Sequence, residues 1–477
     1  NVDRIKEIVE AHTTTLVFVN TRQMTETVVQ KLKIAGTAGV EGHHGSMDKA
    51  IRLDVEQRLK YGKLRCVVSS SSLEMGIDIG SVDCVVQVGS PGSIATALQR
   101  IGRAGHQVGG LPRARLLPTS PQDLLEIVAL QNGILRGSMD LLKFPQNGLD
   151  VLAQFLIGLT IIQEWDIDDG YELVIKSWPY RNLPYDDYIE VLDLLEEERR
   201  IWVDWEENRF GKRGYAQMVY FTNIGTIAPD NNYLVFTADG TLVGQLSSGF
   251  VASLRNGDVF LLGGSTFRVS SVQGTRVNVT SATGYRPTIP SWAGEANSRT
   301  NELSYEVLDI LERSAVQNRL GRDIRPILTD VYGLNKPVAN SLANYLDEHC
   351  ATTFQVPSKD RIIVEQIKSS PLPTYIVTTC RGRAFNLALG YLFAGIAVRD
   401  NIIINEISFD ENGFMIKLSH EVEIKKIPEL FRDGSSREVL TRYMLDSQLF
   451  AKRFREVSSR SMLNPRRIGA DEVSPKQ

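Results

Sequence analysis

The sequence is poor in cysteine, and the few cysteines it has show none of the spacings that metal sites or disulfide frameworks use. Its four cysteines are Cys66, Cys84, Cys350 and Cys380, and they form no C-x-x-C pair. Only His349 lies beside one of them, so neither a zinc site nor a disulfide-stabilised secreted fold is indicated. We therefore predict reduced thiols, no bound metal and a cytoplasmic location.

Long apolar segments and a dominant charge are missing as well. No apolar run approaches the ~20 residues that cross a bilayer, and the opening segment, NVDRIKEIVEAH, carries charges where a signal peptide needs an apolar stretch. Lysine and arginine number 53 against 57 acidic residues, which gives a net charge of -4. The sequence thus predicts no membrane partner, and any binding of nucleic acid must come from local groups of basic residues.

The composition is that of a multidomain globular chain. Hydrophobic residues make up 42% of the 477 residues and charged residues 23%, with ordinary glycine and proline contents. These values exclude collagen-like, low-complexity and wholly disordered chains. At roughly 150 residues per domain, the length predicts about three domains.

The first part of the chain alternates short β-branched runs with amphipathic segments. The runs are TLVFV at 15–19, RCVVS at 65–69 and DCVVQVG at 83–89, and the amphipathic segments lie at 22–34, 46–61 and 93–102. This order predicts a doubly wound parallel sheet, in which ligands bind at the carboxyl ends of the strands. The candidate site residues therefore lie in NTR, HHGS, SSSLEMGIDIG and GSPGS.

The pattern changes further along the chain. Helical periodicity dominates residues 141–214, and the acidic helix at 185–200 has its apolar residues on one face. Short strands separated by turn signals follow over 215–300 and predict a small antiparallel barrel or sandwich. Residues 301–467 mix helices and strands, and residues 468–477 form a frayed tail.

The segment QRIGRAGH, residues 99–106, carries the strongest chemical signal. Arg100 and Arg103 stand among glycines that would let guanidinium groups approach a crowded phosphate. Such a pair suits the charge of a transferring phosphoryl group, where an arginine finger can be worth ~10³ or more in rate. An isolated R-x-x-R is more often a solvent-exposed pair on a helix, but the neighbouring motifs favour the catalytic interpretation.

The serine run in SSSSLEMGIDIG, residues 69–80, directly follows an apolar run and so predicts a strand-to-helix turn rather than a linker. Its hydroxyl and amide groups, including those of Ser70 and Ser71, can bind phosphate. Asp78 can orient water or a ribose, or it can simply cap a turn.

Two further groups of polar residues stand at the ends of apolar runs. They are Asn20, Thr21 and Arg22 in the first group and His43, His44, Gly45 and Ser46 in the second. Asn20 and Ser46 are also good helix N-caps, a structural role that needs no ligand. The histidines lack partners at metal spacing, which argues against zinc.

In order and spacing, these segments resemble the second RecA-like motor domain of superfamily 2 helicases. VFVNTR resembles the motif after its first strand, VVSSSSLEMGIDIG resembles motif V, and QRIGRAGH resembles motif VI. LEMGIDIG together with QRIGRAGH is similar to the Lhr (large helicase-related) family, which explains why His106 stands where most relatives carry arginine. Segments from LDVLAQFLIG to PTIPSWAGE are similar to the winged helix and barrel of the Lhr core.

The resemblance implies a multidomain α/β architecture of four parts. These are a RecA-like parallel-sheet motor lobe at 1–140, a winged helix at 141–214, a small β-barrel at 215–300 and a C-terminal α/β region at 301–467. The implied activity is ATP-driven movement along single-stranded nucleic acid with duplex unwinding, commonly linked to DNA repair. The implied partner is single-stranded DNA or a DNA/RNA hybrid duplex.

The residues and the resemblance together assign roles to the candidates. Arg103 and Arg100 would stabilise phosphoryl charge, and the other nucleotide contacts would be Gly76, Asp78, Gln99 and His106. The nucleic-acid contacts would be Asn20, Thr21, Arg22, His44, Gly45, Ser46, Ser70, Ser71, Ile224 and Trp292. Trp292 can stack on a base or cover the barrel end, and Ile224 can wedge against a base or lie in a core.

Two parts of an NTP motor are absent from the sequence. It has no G-x-x-x-x-G-K-[ST] loop and no acidic pair on a strand, and Asp347-Glu348-His349 ends a helical pattern. We therefore expect the C-terminal part of a longer helicase, inactive alone, with ATP and Mg²⁺ held mainly by a missing first lobe supplied in cis or in trans. The alternative is a non-catalytic nucleic-acid-binding scaffold that has kept the motor fold.

Overall fold

The structure, a computed structural model, describes residues 2–75, 80–105, 112–142, 144–226, 232–247, 250–251, 254–262, 265–282, 298–353, 355–421, 436–445, 447–463, 467–468 and 471–472. The chain divides into two compact units. Unit 1 contains residues 1–141 and 231–428, and unit 2 contains residues 142–230 and 429–477. Within the described ranges, no helix is both long enough and apolar enough to span a bilayer.

Unit 1 begins with a five-stranded sheet. Its strands are β1 (Thr15–Phe18), β2 (Val40–His43), β3 (Cys66–Ser69), β4 (Cys84–Val88) and β5 (Ala114–Leu117). Its helices are α1 (Val2–Glu10), α2 (Arg22–Ile34), α3 (Lys49–Lys60), α4 (Ile94–Ile101) and α5 (Pro121–Leu135). The strand order is β2-β3-β1-β4-β5, and all neighbouring strands are parallel, which confirms the predicted sheet.

The strands of this sheet are apolar on both faces because both faces are covered. Leu16 and Phe18 belong to the core on one face, and Val17 and Val19 belong to the core on the other. The strands β2 and β3 lie on one side of β1 and the strands β4 and β5 on the other. Such a reversal of strand order leaves a crevice at the carboxyl ends of β1 and β4, where ligands bind in this class of sheet.

Unit 2 begins with a winged helix. Its helices are α6 (Leu149–Ile162), α7 (Ile167–Ile175), α8 (Tyr185–Glu197) and α9 (Ala216–Asn223), with a 3-10 turn at Trp178–Tyr180. Its strands β6 (Trp165–Asp166), β7 (Ile201–Asp204) and β8 (Arg209–Lys212) form an antiparallel sheet in the order β6-β8-β7. The helix α8 is the predicted acidic helix, with Leu192 and Leu195 buried and Glu190 and Asp193 exposed.

Unit 1 resumes with a second five-stranded sheet. Its strands are β9 (Asn232–Thr237), β10 (Leu242–Ser247), β11 (Val259–Leu262), β12 (Ser265–Gln273) and β13 (Arg276–Ser281). Their order is β10-β9-β13-β12-β11, and their inner side chains form an apolar core that includes Val235, Phe260 and Val277. Three pairings are antiparallel, as expected, but β13 pairs with β9 in parallel.

The C-terminal region of unit 1 combines helices with an antiparallel sheet. Its helices are α10 (Asn301–Arg319), α11 (Arg325–Asp330), α12 (Lys336–Thr353) and α13 (Arg383–Arg399). Its strands are β14 (Ile363–Ile367), β15 (Thr374–Thr378), β16 (Ile404–Phe409) and β17 (Gly413–Leu418), in the order β14-β15-β17-β16. Asp347-Glu348-His349 lies in the last turns of α12, which confirms that this acidic segment is helical.

The buried side chain of Arg299 joins α5 to this C-terminal region. Its guanidinium donates to Glu126 on α5 at 2.9 Å and to Ser304 on α10 at 3.1 Å. It also donates to the carbonyl oxygens of Cys380 and Glu411 at 2.9 and 3.0 Å. Through these contacts, Arg299 joins the two parts of unit 1.

The end of the chain belongs to unit 2. It contains α14 (Ser436–Leu445), α15 (Gln448–Arg460), β18 (Arg467–Ile468) and β19 (Asp471–Glu472). Sequence patterns place α9 in the segment 215–300 and these last elements largely in 301–467. The structure groups both with the winged helix instead, because Val219 of α9 and Met462 after α15 are buried in its core.

Candidate functional site

The carboxyl end of β1 forms one wall of the crevice. Asn20 follows the strand, and its side-chain amide donates to the Ser90 carbonyl beyond β4 at 2.6 Å. The hydroxyl of Thr21 accepts a backbone amide of the first turn of α2 at 3.1 Å. Thr21 and Asp48 are thus the N-caps of α2 and α3, rather than the expected Asn20 and Ser46, because these side chains stand next to the first helical residue.

The loop of residues 44–48 connects β2 to α3. We call it the strand-side loop, after the nucleic-acid strand that the sequence candidates in it are predicted to contact. Ser46 is 1% exposed, and its hydroxyl accepts from Nη1 of Arg22 at 2.6 Å while its amide donates to Nδ1 of His44 at 3.3 Å. The buried His44 ring places Nε2 2.7 Å from Oε1 of Glu26 on α2. Because Nδ1 accepts, Nε2 carries the proton and donates to Glu26. The structure therefore brings Arg22, His44 and Ser46 together, as the sequence predicts.

A second buried histidine links the end of β2 to the serine run after β3. The ring of His43, 1% exposed, has Nε2 2.9 Å from Oε1 of Glu56 and Nδ1 2.7 Å from Oγ of Ser72. Burial lowers the pKa of His43, and the hydrogen bond with Glu56 opposes that shift only in part. The ring is therefore neutral near pH 7 and holds the turn of the serine run against β2.

The remaining strand-side candidates differ in exposure. Gly45 and Ser71 are exposed, and Ser70 is 7% exposed directly after β3. A Cβ atom added at Gly45 would meet no atom within 4 Å. The outer side of this edge is therefore open to an approaching ligand at Gly45.

Arg100 is held inside the sheet edge by three neighbouring polar side chains. It is 3% exposed, and its Nε donates to Glu74 at 3.0 Å while Nη1 donates to Gln87 at 3.0 Å and to Asn20 at 3.4 Å. The guanidinium also lies 5.2 Å from the centroid of the Phe18 ring. Burial lowers the pKa of Arg100 and the Glu74 carboxylate opposes that shift, so the arginine stays charged.

Arg103 has a different environment, although it lies only one helical turn further along the chain. It is half-buried just beyond α4, and its Nε is shielded from water without a hydrogen-bond partner among the described residues. Gly105, at a φ of +78°, turns the chain here and donates to the Val82 carbonyl at 3.2 Å. A buried donor without an acceptor costs about 1–3 kcal/mol, which a ligand oxygen would recover.

The other predicted residues do not all come together. Gln99 is exposed on α4 beside Arg100, and Ile224 is 55% exposed at the end of α9 in unit 2. Of the two interpretations of Ile224, a contact with a base or a place in a core, the structure excludes the core. The remaining candidates, Gly76, Asp78, His106 and Trp292, lie outside the described residues.

A cleft of about 300 Å³ opens at the switch point between β1 and β4. Asn20, Ser90, Arg100, Asp123 and Arg299 are among its lining residues. The cleft therefore lies at the sheet edge that the order of the strands predicts for a ligand.

Sequence reasoning missed the residues that hold the candidates in place, namely Glu26, Glu74 and Gln87. Glu26 is 2% exposed on the face of α2 that also buries Val29. A carboxylate on an otherwise apolar helix face is the signal that could have identified Glu26. No comparable signal marks Glu74 or Gln87, because their partner Arg100 is distant in sequence.

The four cysteines of unit 1 are buried. Burial raises the pKa of Cys66 to about 12 and, with smaller opposing effects, that of Cys380 to about 11, so both thiols stay protonated. Among the residues that the structure describes, no group of three His, Cys, Asp or Glu side chains could hold a metal ion.

Three family models match the chain. Residues 1–107 match the helicase conserved C-terminal domain, residues 132–289 match the winged helix domain of the large helicase-related protein, and residues 356–477 match the DEAD/H associated family. The first match covers the sheet edge with Arg100 and Arg103. The second covers α6–α9 together with most of the β9–β13 sheet.

Individual relatives show the same likeness over nearly the whole chain. The ATP-dependent helicase Lhr-Core protein 2 of Thermococcus barophilus is 36% identical over 97% of this chain and 55% of its own length. The ATP-dependent helicase Lhr-Core of Methanocaldococcus jannaschii is 36% identical over 98% of this chain and 56% of its own length. The chain thus spans little more than half the length of these relatives.

A solved structure agrees with the sequence relatives. The structure of Mycobacterium smegmatis helicase Lhr bound to ssDNA and AMP-PNP matches 99% of this chain and 58% of its own chain, with a TM-score of 0.75 and 27% identity. Its fold, the winged-helix match and the relatives all agree with the motifs at the sheet edge. The chain therefore belongs to the large helicase-related (Lhr) family of helicases.

Proposed function

We propose that this chain carries the second motor lobe and the nucleic-acid-guiding domains of an ATP-dependent helicase that moves along single-stranded DNA. Relatives named as ATP-dependent helicases and a relative solved with ssDNA and AMP-PNP support this proposal. Duplex unwinding, a DNA/RNA hybrid partner and a role in DNA repair belong to the same proposal. We also retain the four-part division, with α9, α14 and α15 grouped with the winged helix.

The observation that carries the proposal is the contrast between Arg103 and Arg100. Arg100 has its donors directed to protein acceptors, whereas the shielded Nε of Arg103 has none among the described residues. A guanidinium donor that lacks a partner among the described residues fits the oxygen atoms of a nucleotide phosphate. The residues present therefore fit ATP, whereas none of the described side chains form a fitting set for Mg²⁺.

Each residue on the nucleotide side has a proposed task. Arg103 would donate to phosphate oxygens and stabilise the charge that develops on them. The sequence also assigned Arg100 to phosphoryl charge, but its guanidinium is 3% exposed and donates to Glu74 and Gln87. Arg100 would instead fix the position of the segment that carries Arg103. Gln99 would contact the nucleotide from the exposed face of α4, and Gly76, Asp78 and His106 keep their proposed nucleotide contacts. When bound, ATP supplies a phosphoryl group whose transfer to water releases the free energy for movement.

The strand side would hold the phosphates of the tracking strand. Arg22 contributes charge, and the hydroxyls of the exposed Thr21 and Ser71 contribute donors, with the buried Ser46 and Ser70 beside them. Asn20, His44 and Gly45 shape the same edge, and the exposed Ile224 with Trp292 would contact bases. A phosphate loop and an acidic strand would have to come from a further lobe, in cis or in trans.

The substitution Arg103→Ala tests the proposal in an enzyme that joins this chain to a lobe with a phosphate loop. We expect ATP turnover to fall by ~10³ because phosphoryl charge loses its donor, with single-stranded DNA binding retained. Arg115→Ala, on the exposed surface of β5, is the matched control and should leave turnover unchanged. Unchanged turnover in Arg103→Ala would instead favour the scaffold alternative.

A further inference from the structure

The strand-side loop is held from outside the motor lobe by the edge of the second sheet. The strand β10 lies at one end of the order β10-β9-β13-β12-β11, so one side of its backbone has no strand neighbour within that sheet. The loop occupies this side. Gln245 donates its amide to the Ser46 carbonyl at 2.7 Å, and Asp48 donates its amide to the Val243 carbonyl at 3.2 Å.

These two hydrogen bonds form an antiparallel bridge between Met47 and Gly244. The bridge is close-fitting, because a Cβ atom at Gly244 would lie 2.5 Å from the Ser46 carbonyl oxygen and 3.2 Å from Cδ2 of Leu262. Met47 is 5% exposed, so its side chain is buried at this junction. A side chain at position 244 would therefore have to displace the loop or β10.

Ser46 is consequently fixed from both parts of unit 1. Arg22 and His44 hold its hydroxyl and its amide from the motor lobe, and Gln245 holds its carbonyl from β10. The neighbouring Gly45 is exposed with open space around it. The loop is thus hydrogen-bonded to β10 on one side and open on the other side, where a phosphate would approach.

We propose that the edge strand β10, through Gly244 and Gln245, positions the strand-side loop for single-stranded DNA, so that the second sheet sets the affinity of the motor lobe for the strand. Gly244 and Gln245 are positioning residues that act through Ser46 and touch no nucleic acid themselves. This inference rests on the proposed strand-binding role of the loop. A preformed loop binds more tightly because its ordering cost has already been met before the ligand arrives.

The purely structural alternative is that the loop only covers an exposed sheet edge. Edge strands are commonly covered to prevent pairing with other chains. Under this alternative, loosening the bridge changes the local dynamics of the loop but leaves the affinity for DNA unchanged. The two interpretations therefore differ in a measurable quantity.

The test uses the 477-residue chain, a fluorescent oligo(dT) strand and amide hydrogen exchange. In Gly244→Ala we expect faster exchange at the amides of Gln245 and Asp48 and a Kd for oligo(dT) raised about fivefold, the effect of losing a typical hydrogen bond. Gln245→Pro is the second variant, because it removes the amide that faces the loop, and proline is tolerated on edge strands. It should raise the Kd similarly.

Val277→Ala is the matched control, since it opens the buried core of the same sheet without touching the loop. Faster exchange with an unchanged Kd in both bridge variants would overturn the inference, as would an equal loss of affinity in Val277→Ala. Arg22→Ala separates the two proposals. If Arg22→Ala weakens binding and the bridge variants do not, only the positioning role fails; if Arg22→Ala has no effect, the strand-binding role fails and the positioning role fails with it.

Discussion

The two sides of the motor-lobe edge are built in opposite ways. On the strand side, Ser46 and His44 are held by several neighbours while Gly45 stays exposed, so a fixed loop leaves space for a ligand at Gly45. On the nucleotide side, the two arginines differ. Arg100 donates to protein acceptors, whereas the Nε of Arg103 has no acceptor among the described residues. The same residue type thus takes a structural role or a chemical role according to its burial and its partners.

The largest effect should come from separating Arg100 from its carboxylate. Glu74→Ala leaves a guanidinium that is 3% exposed without its ion-pair partner, and unpairing a buried charge typically costs about 3–5 kcal/mol. Unfolding in guanidinium chloride, followed by circular dichroism, would measure this loss of stability. Glu74→Gln keeps an acceptor and should lose less. If Glu74→Ala lost no more free energy of unfolding than Arg103→Ala, the structural role of Arg100 would be wrong.

A smaller effect is expected at Arg22, on the strand side. Removing one charged contact to a phosphate typically costs about 1.5–3 kcal/mol, and Arg22→Ala should also reduce the salt slope of single-strand binding by ~0.7. Titrations of oligo(dT) at several salt concentrations give both quantities. Arg22→Lys keeps the charge and should keep most of the slope. An unchanged slope in Arg22→Ala would remove this residue from the phosphate path.

Two helix caps offer a matched pair with a smaller effect. Thr21→Ala and Ser120→Ala each remove a side chain that accepts a first-turn amide, in α2 and α5 respectively, so each should lose about 1 kcal/mol of stability. Only Thr21 has a proposed phosphate contact. Denaturant unfolding should therefore show similar losses, while oligo(dT) binding weakens only in Thr21→Ala. Equal weakening in both variants would mean that the effect is structural.

The smallest effect is the pH dependence that comes from His43. Burial lowers its pKa in the folded protein below the ordinary value of 6.5, so between the two values the unfolded chain binds a proton that the folded ring does not. The contribution of His43 to stability is present in full above about pH 6.5 and is lost as the pH falls from there through the folded pKa. Unfolding midpoints between pH 5 and 8 should thus fall less in His43→Gln than in the parent. Parallel curves for the two proteins would contradict this.

The fold was largely readable from local patterns. The β-branched runs at 15–19, 65–69 and 83–89 became β1, β3 and β4, because an apolar run bounded by turns has few other ways to bury its surface. The parallel pair β9 and β13 could not be read in this way. These strands are separated by β10–β12, and strand pairing at long range leaves no local periodicity.

The sequence by itself determined the motifs, the family and the place of Asn20, Thr21 and Ser46 just after strands, because residue type and spacing are local properties of the chain. Only the tertiary structure decided that Arg100 is enclosed by Glu74 and Gln87, that the Nε of Arg103 has no partner among the described residues, and that Gly244 lies against Ser46. Burial and hydrogen bonding depend on side chains that the fold brings together from distant positions, and these contacts set what each residue can do.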